Sequence, residues 1–342
     1  MIKDSIQTLI AGKDLTYEEA YFVMGEIMTG EATPAQISSF LTALRIKGET
    51  ADEIAGLASV MRNKATHVNL GGIKAIDIVG TGGDGSNSIN VSTCAALVAA
   101  GAGLKVAKHG NRGATSQCGA ADVLSALGVE ISLPADAVAE CIEKVGIGFM
   151  FAQAYHPAMQ YAAPVRRELG FRTIFNILGP LTNPAGVQYI MLGVADEKLV
   201  GKMAAVLCRL GTKHGMVVHG KDGLDEISIS GKTAVCEIMD NKITGTYEVS
   251  PENFGLKKAL QEEIKGGSPA ENAATIMCIL DGEKGTPRDI VVLNAAAAII
   301  TGDVTKDRKE AVKIAQKSID GKHAKDVLER LVVLTQRLAK HG

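Results

Sequence analysis

The sequence predicts an α/β protein: a small all-helical domain plus a large α/β domain with a mostly parallel central sheet covered by helices. Two observations carry that expectation. The first 65 residues show only helical periodicity, with apolar stripes at Ala20/Val23/Met24/Ile27, Ile37/Phe40/Leu41/Leu44 and Ile54/Leu57/Met61. From Lys74 onward, short apolar runs alternate with helical patterns, as parallel strands and crossover helices do. A chain of 342 residues that is 46% hydrophobic and 22% charged can bury a core in both parts.

Taken in chain order, the helical module has three capping boxes: Thr16 with Glu19, Thr33 with Gln36, and Thr50 with Glu53. Pro34 stands at a first helical position. Strands are then expected at residues 76–79, 104–107, 148–151, 190–194 and 216–219, and helices over 92–100, 119–127, 135–145 and 197–210. Loops at the carboxyl ends of such strands form the binding face. Residues 156–170 read as a helical stretch without a neighbouring strand, and 173–185 are rich in breakers, Gly179-Pro180 and Asn183-Pro184 among them. This excursion is expected to pack back on the N-terminal helices, with hinges at 151–155 and 179–185. The expected division is therefore 1–70 with 156–185, and 71–155 with 186–342. Further strands are expected at 227–230, 234–239 and 244–249. Helices should follow from Ser268-Pro269 and Thr286-Pro287, each a cap with proline at the first position. Two amphipathic helices, broken at Gly321, complete the chain.

Thirty-six basic residues nearly balance 38 acidic ones, so a broad nucleic-acid surface is not expected and any anion needs a local pocket. The six cysteines lie far apart with no C-x-x-C pair, and read as buried, reduced thiols. No long apolar segment follows the N-terminal charges, which argues against a signal peptide. The apolar runs at 94–102 and 290–300 are too short and alanine-rich to cross a bilayer. A cytoplasmic protein is expected, with no membrane and no nucleic-acid partner.

Chemistry concentrates in three places. Residues 80–93 read Gly-Thr-Gly-Gly-Asp-Gly-Ser-Asn-Ser-Ile-Asn-Val-Ser-Thr, between an apolar strand and a helix start. Glycines let the backbone approach a ligand, and unpaired N–H groups at a helix start favour an anion. The segment reads as a phosphate cradle, yet it has neither the Gly-Lys-Ser/Thr of a P-loop nor Gly-x-Gly-x-x-Gly. Lys108-His109-Gly110-Asn111-Arg112 and then Gly113-Ala114-Thr115-Ser116 repeat this loop-then-helix pattern after the next strand, adding two cations, an imidazole and an amide. Asp225-Glu226 follows a later strand. Such a pair is ordinarily a solvated turn, but beside two phosphate loops it suits Mg²⁺, which takes one or two carboxylates together with substrate phosphates. Arg166 and Arg167 lie on the 156–170 stretch, where a guanidinium facing the cleft could pair with a carboxylate substrate. Spacing does not say which arginine faces inward. His109, His156 and His219 read as structural, and no Ser/His/Asp or Cys/His set is present.

Together these motifs resemble the anthranilate phosphoribosyltransferase family, from the N-terminal helices to Gly302. The carriers are Gly80-Thr81-Gly82-Gly83-Asp84, Asn90-Val91-Ser92-Thr93, Lys108 to Arg112, His156-Pro157-Ala158, Arg166-Arg167-Glu168-Leu169-Gly170, Arg172-Thr173, Asn176 with Gly179-Pro180-Leu181 and Asn183-Pro184, and Asp222-Gly223-Leu224-Asp225-Glu226. The resemblance implies a homodimer joined through the helical domain, with the active site between the domains. It implies transfer of a phosphoribosyl group from phosphoribosyl diphosphate to anthranilate with Mg²⁺. The residues implied for the sugar diphosphate are Gly80, Gly83, Asp84, Ser88, Asn90, Val91, Ser92, Thr93, Lys108, His109, Gly110, Asn111, Arg112, Gly113, Ala114, Thr115, Ser116 and Ala120. Gly80, Asn111 and Arg166 are implied for anthranilate, with Arg166 on its carboxylate, and Ser92, Asp225 and Glu226 for the metal. Lys108 and Asp84 are implied as electrostatic groups, with no dedicated acid or base.

Two positions depart from the family pattern. Ser88 stands where Thr is usual and keeps the hydroxyl, whereas Ala120 stands where many members carry a Ser that touches the phosphorylated ligand. Two other readings compete: a pyrimidine nucleoside phosphorylase on a similar fold, and a non-catalytic relative that binds nucleic acid.

Overall fold

The computed structural model describes residues 1–113 and 116–340. Four helices come first: α1 (Ile2–Ile10), α2 (Tyr17–Thr29), α3 (Pro34–Lys47) and α4 (Ala51–Asn63). All three expected capping boxes form at α2, α3 and α4, with each threonine accepting the N3 amide and the N3 side chain accepting the cap amide. The α/β part runs β1 (Ala75–Gly80), α5 (Val91–Gly101), β2 (Lys105–Gly110), α6 (Ala120–Ala126), α7 (Ala135–Lys144) and β3 (Ile147–Phe151). An excursion follows: α8 (Ala152–Tyr155), a 3-10 turn at Pro157–Tyr161, α9 (Ala163–Leu169) and α10 (Phe175–Leu178). The chain then returns through β4 (Tyr189–Gly193), α11 (Lys198–Arg209), β5 (His214–Gly220), β6 (Thr233–Met239) and β7 (Lys242–Val249). It ends in α12 (Pro269–Leu280), α13 (Thr286–Thr301), α14 (Arg308–Asp320) and α15 (His323–Ala339).

One seven-stranded sheet has the order β3-β2-β1-β4-β5-β6-β7. The first five strands in that order pair in parallel, and β6 and β7 add on antiparallel. Successive residues of a strand point to opposite faces, and two buried cores result. Met191, Met216, Val218 and Val235 join α5, α13 and α15 in one core. Ile190, Leu192, Val217, Ala234, Cys236 and Ile238 join α11 and the N-terminal helices in the other. Burial on both faces explains the near-continuous apolar strands. It also accounts for the alanine-rich runs of α5 and α13, which are core helices. Among the described residues, no helix is long and apolar enough to cross a membrane.

Ala162, Val165, Phe175, Leu178 and Leu181 of the excursion lie in the core that the N-terminal helices share with α11 and one face of the sheet. Arg62 on α4 fastens this part to the sheet layers, donating to the carbonyls of Leu181 (2.6 Å) and Leu210 (3.0 Å).

Four expectations need correction. Residues 156–170 are not one helix, because Pro157 and Pro164 each open a new segment where an amide donor is missing. Residues 227–230 form no strand. There the Ile227 amide donates to Asn294 Oδ1 (2.9 Å) and the Ser228 amide to Thr233 Oγ1 (2.9 Å), so side chains replace the ladder. Thr286 lies inside α13 while Gly285 is the cap, and the Thr286 hydroxyl donates to Glu263 (2.6 Å) instead. Of the six free cysteines, Cys278 is exposed and Cys208 half-buried; the other four are buried.

Candidate active site

The chain moves from β1 outward through β2 to β3, then returns to place β4 on the other side of β1. The crevice outside the carboxyl ends of β1 and β4 is thus the topological switch point, where ligands bind in open α/β sheets. Gly80 and Gly193 end the two strands as register partners. A Cβ on Gly193 would run into the Asp225 carbonyl, and one on Gly80 into its carboxylate. Asp225 therefore lies directly across the two strand ends, and the Gly82 amide donates to its Oδ2 at 2.7 Å. The first glycine loop and the acidic corner are in contact although far apart in sequence.

Glu226 is buried and accepts the Ser92 amide at 3.0 Å, so its carboxylate sits at the start of α5, where an anion is favoured. Burial pushes the Asp225 carboxyl up to about 6, helped by the charge of Asp84. Glu226 is pushed well above its usual value by burial and by Asp225, with Lys108 opposing. Lys108, on β2, is 1% exposed and donates to the Ile78 carbonyl at 2.6 Å. Asp77 and Glu226 are its neighbouring charges. Asp77, also fully buried, accepts the Asn183 amide group at 2.7 Å and the His109 backbone amide at 3.3 Å; burial lifts its carboxyl to about 6.

The second loop departs from its expected charge pattern. Arg112 is paired with Asp122 at 2.8 Å, and the same carboxylate accepts the amides of Gly113 (2.8 Å) and Gly119 (2.9 Å). His109 is buried against His156, ring centres 5.1 Å apart, and burial drives its imidazole down to about 3. It offers a phosphate no charge. Of the two cations and imidazole read from this motif, Lys108 is the one that faces the acidic corner. Ala114 and Thr115 lie outside the described residues.

Asn90 stitches the two loops, donating to the Cys118 carbonyl (3.1 Å) while its Oδ1 accepts from Asn272 (2.9 Å). Ser88 bridges to Lys265, and the amides of Ile89 and Gly266 pair across the same joint at 2.9 and 2.7 Å. Val91 and Thr93 are buried on α5, and the Thr93 hydroxyl has no partner among the described residues. Gly110 and Ala120 are half-buried at the ends of β2 and α6, while Asn111 and Ser116 are exposed. Asn111 Oδ1 accepts the Arg112 amide at 2.8 Å. Of the arginine pair on α9, Arg166 is half-buried, 5.1 Å from the Phe175 ring centre, and Arg167 is exposed. Arg166 has no carboxylate partner among the described residues, and burial lowers its pKa.

Sequence reasoning left Arg172 without a role. Its guanidinium donates to the carbonyls of Gly83 (2.8 Å) and Gly82 (3.2 Å), holding the first loop from the segment between α9 and α10. Gly83 has φ +72°, and a side chain there would meet this guanidinium. Arg172→Ala is expected to raise the KM for the phosphorylated substrate about 10-fold, as loss of charged hydrogen bonds does, and to leave the thermal midpoint nearly unchanged. Steady-state kinetics and thermal melts check both. Asn183, Asp122 and Asn272 were likewise unassigned; the Asn183-Pro184 turn was the only local signal.

For Mg²⁺, Asp225 and Glu226 offer hard carboxylate oxygens, and both carboxyls are raised first by burial and then by neighbouring carboxylates. Among the described residues, no three His, Cys, Asp or Glu side chains converge as a complete cage. That suits an ion completing its shell with phosphate and water.

A helical bundle beside an α/β sheet, with two glycine-containing loops and an acidic corner near the switch point, is the arrangement found here, and the class it belongs to is the glycosyl transferase family. The helical bundle domain of that family matches residues 3–65, and its a/b domain matches residues 72–325. The chain is 53% identical over 340 residues to the anthranilate phosphoribosyltransferase of Dehalococcoides mccartyi, covering 99% of each protein. The crystal structure of the Thermus thermophilus enzyme superposes with a TM-score of 0.92 at 45% identity, covering 97% of this chain and 99% of that one. The Saccharomyces cerevisiae enzyme in complex with PRPP (phosphoribosyl diphosphate) and Mg superposes at 0.91 with 29% identity, covering 98% of each chain. The chain belongs to the anthranilate phosphoribosyltransferase family.

Proposed function

We infer that this chain transfers the 5-phosphoribosyl group from phosphoribosyl diphosphate to the amine of anthranilate, releasing diphosphate, in tryptophan biosynthesis. The observation that carries this reading is the contact of Asp225 with the Gly82 amide at the β1/β4 switch point. It joins a phosphate loop to a metal-suited corner, with Lys108 beside them.

Displacement at the anomeric carbon builds positive charge on the sugar and negative charge on the leaving diphosphate. The amides of the 80–93 loop, Lys108 and the second loop meet the developing negative charge with fixed dipoles and charge. Mg²⁺, held by Ser92, Asp225 and Glu226 together with the substrate phosphates, would neutralise the leaving group when bound. Arg166 takes the anthranilate carboxylate, and Gly80 and Asn111 border the ring. The aromatic amine is already neutral near pH 7, so the site needs no strong base, in keeping with His109 being buried and uncharged. Alignment of the two substrates supplies most of the remaining work, up to ~7–11 kcal/mol. Closure between the two parts excludes water.

The direct test is loss of anthranilate fluorescence on incubation with Mg²⁺ and phosphoribosyl diphosphate. No loss, or phosphorolysis of thymidine instead, overturns the reading. Within it, Arg166→Ala is expected to raise the KM for anthranilate about 10–100-fold, since a hydrogen-bonded charge pair contributes ~1.5–3 kcal/mol. The KM for phosphoribosyl diphosphate should change little; equal effects on both substrates would remove the carboxylate role.

The division into 1–70 with 156–185 and 71–155 with 186–342 is part of the same proposal, supported by the shared core of the excursion and the N-terminal helices. A homodimer through the helical domain is supported by the exposed Ile10, Phe22 and Ile46 of that domain. A cytoplasmic setting follows from the proposed pathway and from six free cysteines.

A further inference from the structure

Away from the substrate loops, a cavity of about 730 Å³ opens between the β5–β6–β7 face and the start of α14. His214 and Met239, register partners at the amino end of β5, line one side of it. Its floor is apolar and buried, built from Met216, Ile227, Val235, Phe254 and Ile300. Its rim carries Lys306, Arg308 and Lys309, at and just before the first turn of α14.

Three cations at a helix N-terminus oppose the helix dipole, which favours negative charge there. The cap residue Asp307 supplies one carboxylate, and that group already accepts the Glu310 amide at 2.8 Å. None of the three cations forms an ion pair within 4.0 Å among the described residues. Arg308 instead lies 5.4 Å from the Tyr247 ring centre and 5.8 Å from that of Phe254. Its guanidinium is thus held at the edge of the apolar floor with its donors unspent on carboxylates.

An independent feature points the same way. The His214 side chain is 6% exposed, and its Nδ1 is 2.7 Å from Asp303. Its buried Nε2, on the cavity wall, makes no hydrogen bond among the described residues and lies 3.6 Å, an ion-pair distance, from the carboxylate of Glu237, which lines the cavity too. At that distance no hydrogen bond forms, so this nitrogen keeps a hydrogen-bonding position toward the half-open cavity.

We propose that this cavity is a second binding site, for a small amphipathic anion: an apolar or aromatic body carrying one carboxylate or phosphate group. The body lies on Met216, Val235, Phe254 and Ile300, and the anionic group meets Arg308, Lys309 and the first amides of α14. Ile227 belongs to the floor and directly follows Glu226, so an occupant sits one residue from the acidic corner.

The chain contains no tryptophan, so the fluorescent probe 8-anilinonaphthalene-1-sulfonate can be titrated against a low background. Mg²⁺ and diphosphate are added in excess to fill the substrate loops. The expected result is one saturable site per chain, with affinity at least ~10-fold weaker in Arg308→Ala/Lys309→Ala, the loss expected for charged hydrogen bonds. Met216→Trp, which fills the cavity, should abolish binding, and both variants should keep their turnover of anthranilate. Octanoate or octyl phosphate should displace the probe, the more effective of the two identifying the head group, and octanol should not. Undiminished affinity in the charge variant, displacement by octanol as readily as by the anions, displacement by neither anion, or absence of a saturable site would overturn the proposal. The charge variant changes the half-buried Arg308 and the exposed Lys309 and leaves the apolar floor intact, so it tests the proposal even where Met216→Trp fails to fold.

Discussion

Asp225→Asn combined with Glu226→Gln is expected to lower kcat/KM by ~10³-fold or more, the scale of losing preorganised charge stabilisation at a leaving group. It should also flatten the response to Mg²⁺. Both amides keep an oxygen to accept the N–H groups of Gly82 and Ser92, so the loop contacts have replacements. What disappears is charge. In the free protein the Asp225 carboxyl is raised to about 6, and Glu226 is raised too, by burial and by the crowding of Asp84, Asp225 and Glu226. A carboxyl whose folded pKa is raised favours the fold fully below its unfolded pKa, and that contribution is lost as pH rises through about 6. At pH 8 the charged pair therefore destabilises the empty protein, and the double amide variant should melt at a higher temperature than the parent. Higher stability with lost activity is the signature of charge kept for function. Metal binding needs these carboxylates ionised, so the parent's Mg²⁺ affinity should climb between pH 5 and 7. The variant should show little such climb. Thermal melts with and without Mg²⁺ and diphosphate at both pH values measure each part. A variant that melts lower at pH 8, or responds to Mg²⁺ as the parent does, removes the pair from the metal site.

What the sequence made legible was local. Each capping box spans four residues and is decided by its own side chains, so Thr16, Thr33 and Thr50 could be read directly. The strands from β1 to β5 were legible because burial on both faces leaves short apolar runs. The glycine loop was legible because few other segments tolerate so many glycines and hydroxyls before a helix. Partners chosen by the fold were not legible. Arg172 reaches Gly83 across 89 positions, and Asn183 reaches Asp77 across 106. Arg112 reads as a ligand cation, and its pairing with Asp122, on the following helix, could not be seen in the sequence. The alternating Ile227 and Ile229 mimic a strand, yet both are buried in a turn whose amides find side chains. Periodicity reports burial, and burial alone does not specify a ladder.

Lys108→Met should separate the structural from the catalytic use of one buried charge. Methionine matches the length of the lysine stem and fills its space, so packing is largely kept. It leaves Asp77 and Glu226 without the positive charge that opposes the burial of both. It also takes the buried donor from the Ile78 carbonyl, and a loss of about 1–3 kcal/mol is expected at pH 8. The sign of its pH dependence follows from the raised carboxyls. Asp77 already sits near 6, and removing Lys108 raises Asp77 and Glu226 further, so both take up protons in the folded state as pH falls. The destabilisation should therefore shrink by pH 5, as followed by urea unfolding at the two pH values. Adding Asp77→Asn to Lys108→Met should restore much of the stability at pH 8, because it removes one of the stranded charges. It should restore none of the activity, because the cation facing Glu226 and the sugar diphosphate is still missing. Equal destabilisation at pH 5 and 8 would mean that Lys108 acts through packing. Recovery of activity in the double variant would mean that the diphosphate is neutralised without it.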